Sequence, residues 1–419
     1  MNCYVNFKRI LPALLCACVC IPLDAYSAQG DHEPLEKSSD LSFSDIFDSA
    51  LGNAPEILER DVRRQQAEDY ESISDTWFSG RPSLQLYYID DQAFDNRGFR
   101  EMEYAVLLQL KRPSEWGNGR LLSDSYAEQY SAWEQSLRHY IAGHVRKSLA
   151  DIAEAEANLL LEQQATRNAE ELLNTTQQLV NSGELARLDL MQAENLFLNQ
   201  RRTELQAEAM LVDAERAYEI LTGLQVRPDY VHTETLTEQE VISPEQPQLL
   251  YLASDIQLAE ALVLQAQASV RGSPSISIGS RRQRASDLAP DEDGLALSLS
   301  IPFGGKNIVA SRTSDARRDK ADAEVLYQTS YRALDLQLHE IEHELLISEE
   351  SILLTEQQSR LSEARWEMAQ TAFTQGEISL TEVILALQEA LAARKEHELL
   401  LLQRERLITE FNQTIGVMP

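Results

Sequence analysis

Two stretches of this chain, Leu121 to Val180 and Ala310 to Gln375, contain no proline and are dominated by Ala, Leu, Glu, Gln and Arg. Such residues lose little freedom on entering a helix, so each stretch is expected to be one continuous helix. About 60 residues at 1.5 Å each make a rod roughly 90 Å long. A rod of that length cannot be the core helix of an ordinary globular domain and must lie along other rods, as in a coiled coil. Any fold for this chain has to house two of them.

The two rods belong to an internal repeat with a period of about 193 residues. "SGELARLDLMQAE" (Ser182 to Glu194) aligns with "QGEISLTEVILAL" (Gln375 to Leu387), placing Gly183 on Gly376 and Glu184 on Glu377. "EILTG", ending at Gly223, aligns with "NQTIG", ending at Gly416. Upstream, "NAPEIL" parallels "EQPQLL", and "GRPSLQL" parallels "GSPSISI". The expected organisation is one repeat over 41–223, a polar, Pro-containing linker over 224–243, and a second repeat over 244–416. Each repeat reads as helix, hairpin, long helix, glycine break and returning helix of about 38 residues. The opening helices are expected at Ser44 to Thr76 and Pro244 to Val270.

The hairpins, spanning 83–111 and 275–301, show period-2 alternation. In "EYAVLLQLK", Tyr104, Val106, Leu108 and Leu110 share one face. In "LALSLSI", Leu295, Leu297, Leu299 and Ile301 oppose Ala296, Ser298 and Ser300. Their partners are "SLQLYYI" and "SISIGS", with turn chemistry in "DNRG" and "PDEDG". The fold class is therefore mainly α with a small β part. Strands with one apolar and one small or polar face suit a barrel between lipid and a lumen. Four strands cannot close, so several copies must share a barrel; the competing reading is the edge of a soluble sandwich.

Lys8 and Arg9 precede the apolar run Ile10 to Leu23, an arrangement with signal-peptide proportions. Residues 1–27 are expected to be removed by cleavage before Ala28; lipidation at Cys18, within "LCAC", is the alternative. All four cysteines lie in this segment, so the remainder has no disulfide to hold it. No later segment approaches 18 consecutive apolar residues. The formal charge is −31, with 68 acidic against 37 basic residues, which argues against a nucleic-acid partner.

The repeated pattern of helix, hairpin and long coiled-coil pair is similar to the TolC-like outer-membrane efflux family. "NAPEI", "RPSLQL", "SIPFGGKN", "SGELARLDLMQAE" and "QGEISLTEVILALQEAL" carry the resemblance, which covers about Leu41 to Gly416. "GEISL" with "SIP" most resembles the outer-membrane components of heavy-metal (cobalt-zinc-cadmium type) efflux systems. The resemblance implies a homotrimer in the outer membrane of a Gram-negative bacterium. A 12-stranded β-barrel would be embedded in lipid, with a long periplasmic α-barrel beneath it. It also implies a periplasmic adaptor protein and an inner-membrane pump, of the resistance-nodulation-division type, as partners. The function implied is passive export without catalysis or cofactors. Heavy-metal cations are the expected cargo, with drugs, organic solutes or type I secreted proteins as alternatives. A periplasmic coiled-coil protein without a pore is the alternative of another class.

Within that frame the glycine breaks are hairpin tips. Gly183, Glu184, Leu185, Leu188, Gly376, Glu377, Ile378 and Leu380 are the candidate adaptor contacts. Asp189 and Glu382, each six positions past a tip glycine, match an acidic position that some family members use at the periplasmic constriction. Six such carboxylates in a trimer would favour cations, whereas on the outside of the coil they would only be solvated. Trp116, Tyr87, Tyr88 and Tyr104 are candidates for an interfacial aromatic belt.

One motif points elsewhere. His339, Glu340 and His343 form H-E-x-x-H, the pattern of zinc peptidases. It sits mid-rod in the polar run "HEIEHE", where no third ligand or substrate groove is in sight. No metal site is expected there.

Overall fold

In the computed structural model, residues 34–418 are described; Cys18 and the segment 1–27 lie outside them. The first repeat comprises α1 (Phe43–Asn53), α2 (Ile57–Ser74), β2 (Ser83–Asp90), β3 (Arg100–Gln109), α3 (Pro113–Ser182) and α4 (Arg187–Thr222). The second comprises α5 (Pro247–Val270), β5 (Ser275–Arg284), β6 (Glu292–Ser300), α6 (Lys306–Arg312), α7 (Ser314–Thr374) and α8 (Leu380–Ile415). Two short strands, β1 (Glu36–Ser38) and β4 (Val226–Pro228), pair in parallel.

The rods are present at 70 and 61 residues, the first spanning about 105 Å. Several expected boundaries move, each for a local reason. The helix expected over Ser44 to Thr76 is two helices. Pro55 disfavours helical backbone at the residue before it, and Ala54 is extended (ψ 128°), ending α1. α3 starts at Pro113 rather than Leu121, because proline is tolerated in the first turn and Glu115 accepts the Arg112 N–H at 2.6 Å. The second rod begins at Ser314 after a kink at the buried Thr313, whose hydroxyl donates to the Val309 carbonyl at 2.8 Å. Strand β5 continues past Ser280 through four charged or polar residues. There, cross-strand pairs Arg281–Glu101 (2.8 Å) and Arg282–Asp293 (2.7 Å) replace apolar alternation.

The sheet has the order β2-β3-β5-β6 and is antiparallel throughout, so the two hairpins join through β3 and β5. The helices form two tiers. Nearer the sheet, neighbours run α2, α3, α5, α7; beyond the middle of α3, they run α4, α3, α8, α7. The switch falls where α8 ends and α5 begins, at Gly416, whose φ of 104° only glycine adopts comfortably. Among the described residues α5 is the one helix long and apolar enough to cross a bilayer. It spends that apolarity between α3 and α7, burying Leu249, Leu252, Leu258, Ala261 and Val263.

A buried cluster marks each level. Ile46, Phe47 and Ala50 of α1 pack on Trp133, Leu137, Ile141 and Val145 of α3 and on Tyr218 of α4. Leu334, Leu338 and Ile341 of α7 pack on Leu407, Phe411 and Ile415 of α8. An ion cluster holds the linker against this level. Arg146, 4 % exposed, donates to Glu234 (2.7 Å) and to Gln413 Oε1 (2.6 Å). Glu234 also accepts from Asn412 Nδ2 at 2.9 Å. A second buried pair, Arg227–Glu215 at 2.7 Å, fixes β4.

Candidate functional site

The tips are built by helix-ending chemistry. Gly183 (φ 85°) and Gly376 (φ 75°) adopt left-handed backbone, as a Schellman cap requires. In both, the next N–H reaches back five residues: Glu184 to Leu179 at 2.9 Å, and Glu377 to Ala372 at 2.9 Å. The two hairpins then pack side by side. Leu172, Leu196, Trp366, Phe373, Leu380, Val383 and Leu387 form one buried cluster. This corrects one expected docking residue: Leu380 is 2 % exposed and is a core side chain of that cluster. Its counterpart in the first tip is Arg187, which is exposed, so the two tips differ in what they present. Gly183, Glu184, Leu188, Gly376 and Glu377 are exposed; Leu185 and Ile378 are half-buried against the cluster.

Asp189 and Glu382 occupy the third position of α4 and α8, where a carboxylate meets free N–H groups at a helix start. Asp189 Oδ2 accepts the Ala186 N–H at 3.1 Å. Glu382 Oε2 accepts the Ser379 N–H at 2.8 Å, and Ser379 Oγ accepts the Glu382 N–H at 3.4 Å, a complete capping box. The Ser379 N–H and the Ser379 hydroxyl, which donates to Glu382 Oε2 at 2.9 Å, hold the Glu382 carboxyl below its ordinary pKa. Both acids therefore have a capping role that the charge argument had not anticipated, although Ser379-x-x-Glu382 is a legible S-x-x-E pattern.

The sheet has two unlike faces. Leu84, Val106, Ile278 and Leu297 stand in one cross-strand row, flanked by Leu108, Ile276 and Leu299 on one side. Leu86, Tyr104, Ser280 and Leu295 form the row on the other side. On this face Leu84, Leu86, Val106, Ile278, Leu295, Leu297 and Leu299 are all exposed. The reverse rows read Ser83, Leu107, Ser277, Ser298 and then Gln85, Ala105, Gly279, Ala296. A side chain at Gly279 would run into the Tyr104 carbonyl and Ala105, so this face is crowded at its centre. Tyr88 and Tyr104 share the apolar face but Tyr87 stands on the reverse one, which removes it from a single aromatic belt. Trp116 instead packs edge-on against Trp77 (4.9 Å, 74°) where the sheet meets the helices.

Among the described residues, both edges of every layer are open. β2 and β6 each pair on one side only. In the tip tier the outer helices carry exposed apolar residues at seven-residue spacing: Met191, Leu198 and Leu205 on α4, and Ile347, Leu354, Leu361 and Met368 on α7. His339 and His343 lie exposed on α7, opposite the buried Ile341. Among the described residues no group of three His, Cys, Asp or Glu side chains is placed to hold a metal.

No protein-family model matches the chain, and no curated protein matches it. Solved structures do. One is CusC, described in terms of conformational changes accompanying folding and transmembrane channel formation. It has 15 % identity and a TM-score of 0.71, with 94 % of this chain and 95 % of that one covered. The outer membrane protein VceC of Vibrio cholerae matches at 13 % identity and TM-score 0.73, over 89 % of this chain and 96 % of that one. The CmeC outer membrane channel of Campylobacter jejuni matches at 16 % identity and TM-score 0.68, over 89 % and 85 %. The chain shares the fold of these outer-membrane channels along nearly its whole length.

Proposed function

We propose that three copies of this chain form the exit duct of a tripartite efflux system in a Gram-negative outer membrane. Three sets of four strands give a barrel of about twelve, wide enough for a water-filled passage. The carrying observation is the four-stranded antiparallel sheet with one exposed apolar face and two unpaired edges. Such a sheet leaves unpaired backbone in lipid unless another copy completes it. The helices support the same arrangement. In each layer one edge belongs to the first repeat (β2, α2, α4) and the other to the second (β6, α7), so one head-to-tail contact serves all three layers.

Leu198 and Leu361 lie equally far from their tip glycines, on α4 and α7. A Leu198→Cys, Leu361→Cys variant should give an oxidised ladder ending at three subunits, and the native protein should carry current in planar bilayers. A lone subunit in detergent with no ladder, or an absence of current, would reject the duct in favour of a non-pore coiled-coil protein.

In this reading the tips face the periplasm. Gly183, Glu184, Leu185, Leu188, Gly376, Glu377 and Ile378 form the surface for an adaptor that links the duct to a resistance-nodulation-division pump. Asp189 and Glu382 bring six carboxylates to that end and favour cations there. Replacing them together (Asp189→Asn, Glu382→Gln) should change cation selectivity and block by divalent ions; unchanged conductance would leave them as helix caps only. The cargo we propose is heavy-metal cations, on the likeness of "GEISL" and "SIP" to metal-efflux components. Export assays with metal salts against organic solutes, with the cognate pump present, test that choice.

A further inference from the structure

The chain is strongly acidic, and among the described residues its two well-buried arginines are neutralised: Arg146 by Glu234, and Arg227 by Glu215 and Glu156. Nearer the sheet, half-buried Arg112 and exposed Arg271, Lys306 and Arg317 gather without such partners. Between the ends of α3, α5, α6 and α7 lies a cleft of about 500 Å³ lined by Arg112, Arg271, Lys306 and Arg317, with Gln267 and Phe303. Among the described residues none of these four cations has a carboxylate within ion-pair distance; the nearby Arg318, by contrast, pairs with Asp315 at 3.4 Å. Arg112 is braced by carbonyls, donating to Arg271 O at 3.1 Å and Pro302 O at 2.8 Å. Four uncompensated like charges around one cleft repel one another, and an anion placed among them relieves that repulsion.

The position identifies the anion. Arg112 and Arg271 are four and five residues from Leu108 and Ile276, about 15 Å along the chain from the last apolar row of the sheet. Ile301 and Phe303, the latter 98 % exposed, continue the apolar surface from Leu299 down to the cleft. An apolar wall ending in cations at its helical edge matches a lipid, with acyl chains above and a charged headgroup below. We infer that this cleft binds the phosphate of an anionic phospholipid of the periplasmic leaflet, with an acyl chain lying along Leu299 and Phe303. The inference rests on the outer-membrane reading proposed above.

The test uses the full chain purified in non-ionic detergent, loaded with short-chain phosphatidylglycerol or phosphatidylcholine, and reads retained lipid by native mass spectrometry. Phosphatidylglycerol should be retained in preference to phosphatidylcholine and should survive millimolar inorganic phosphate. An Arg271→Ala, Lys306→Ala, Arg317→Ala variant, keeping the bracing Arg112, should lose retention by about tenfold or more at low salt, each cation being worth roughly fivefold. Arg271→Lys with Arg317→Lys should restore most of it. Equal retention of the two lipids, an unaffected triple variant, or displacement by phosphate (a free-anion site) would each overturn the assignment. Single-channel current from the same preparation in neutral bilayers separates the two claims. Current without lipid preference removes the cleft alone, whereas no current removes the membrane reading on which it stands.

Discussion

Removing the charge of Glu234 should release the linker from the helices. The Arg146 guanidinium is almost wholly buried and meets Glu234 at 2.7 Å, so Glu234→Gln leaves a cation in a site that no longer neutralises it. Loss of one partner of a buried pair costs about 3–5 kcal/mol. An independent route gives a similar figure. Hydrogen bonds from His232, Arg146 and Asn412, with the Arg146 charge, outweigh burial and hold the Glu234 carboxyl at about 2 rather than 4.5. That gap corresponds to about 3 kcal/mol of stabilisation. The Thr237 N–H, which donates to Asn412 Oδ1 at 3.2 Å, reports the state of the linker. Native-state hydrogen exchange at neutral pH should show its protection falling about 150-fold in Glu234→Gln, the equivalent of about 3 kcal/mol.

The pH dependence follows the same group. A carboxyl with a depressed pKa contributes fully above its unfolded value of 4.5 and loses that contribution as pH falls toward about 2. The wild-type linker should therefore loosen between roughly pH 5 and 2, and Glu234→Gln should lack this component. His139, which contacts the Gln413 carbonyl at 2.8 Å, has its pKa lowered by burial. It also weakens the site as pH falls, starting from 6.5, and this component persists in the variant. Because a buried pair can often be replaced by apolar residues, Arg146→Met with Glu234→Leu should recover most of the lost protection. Unchanged Thr237 exchange in Glu234→Gln, or a double variant as open as the single, would refute the claim that this pair pins the linker.

Three further expectations are independent of it. Leu297→Arg places a charge on the exposed apolar face of the sheet and should impair folding into bilayers by about 2–4 kcal/mol, while Ser298→Arg on the reverse face should be tolerated; refolding yield in liposomes distinguishes the two. Phe373→Ala empties the cluster that joins the two tips and should cost about 3–5 kcal/mol, read as loss of protease resistance confined to the tips. Gly376→Ala forces a side chain into left-handed backbone and should destabilise that turn by about 1–2 kcal/mol, whereas Gly117→Ala inside α3 should not weaken the chain.

Much of this architecture was present in short-range sequence patterns. The proline-free runs dictated the rods, the alternation dictated which strand residues share a face, and the four glycines at 183, 223, 376 and 416 marked where left-handed backbone ends a helix. These signals are local, set by backbone propensity and side-chain period within a few residues. The break at Ala54–Pro55 and the capping box at Ser379 were equally local. They escaped only because a helical composition and an acidic charge supported another reading of the same residues.

The remainder came from contacts between residues far apart in sequence. The 3-4 spacing of Leu380, Val383 and Leu387 marks a helical seam, but what covers a seam depends on the neighbours: α8 lies between α3 and α7 and buries Leu380, while α4 is an outer helix and leaves Leu188 exposed. The pinning of a polar linker by Arg146, and the gathering of Arg112, Arg271, Lys306 and Arg317 around one cleft, likewise depend on which helices are neighbours. Propensity and periodicity set the elements because they act along the chain. Burial and electrostatic partnership waited on the tertiary arrangement, because solvent exclusion and Coulomb forces depend on distance in space.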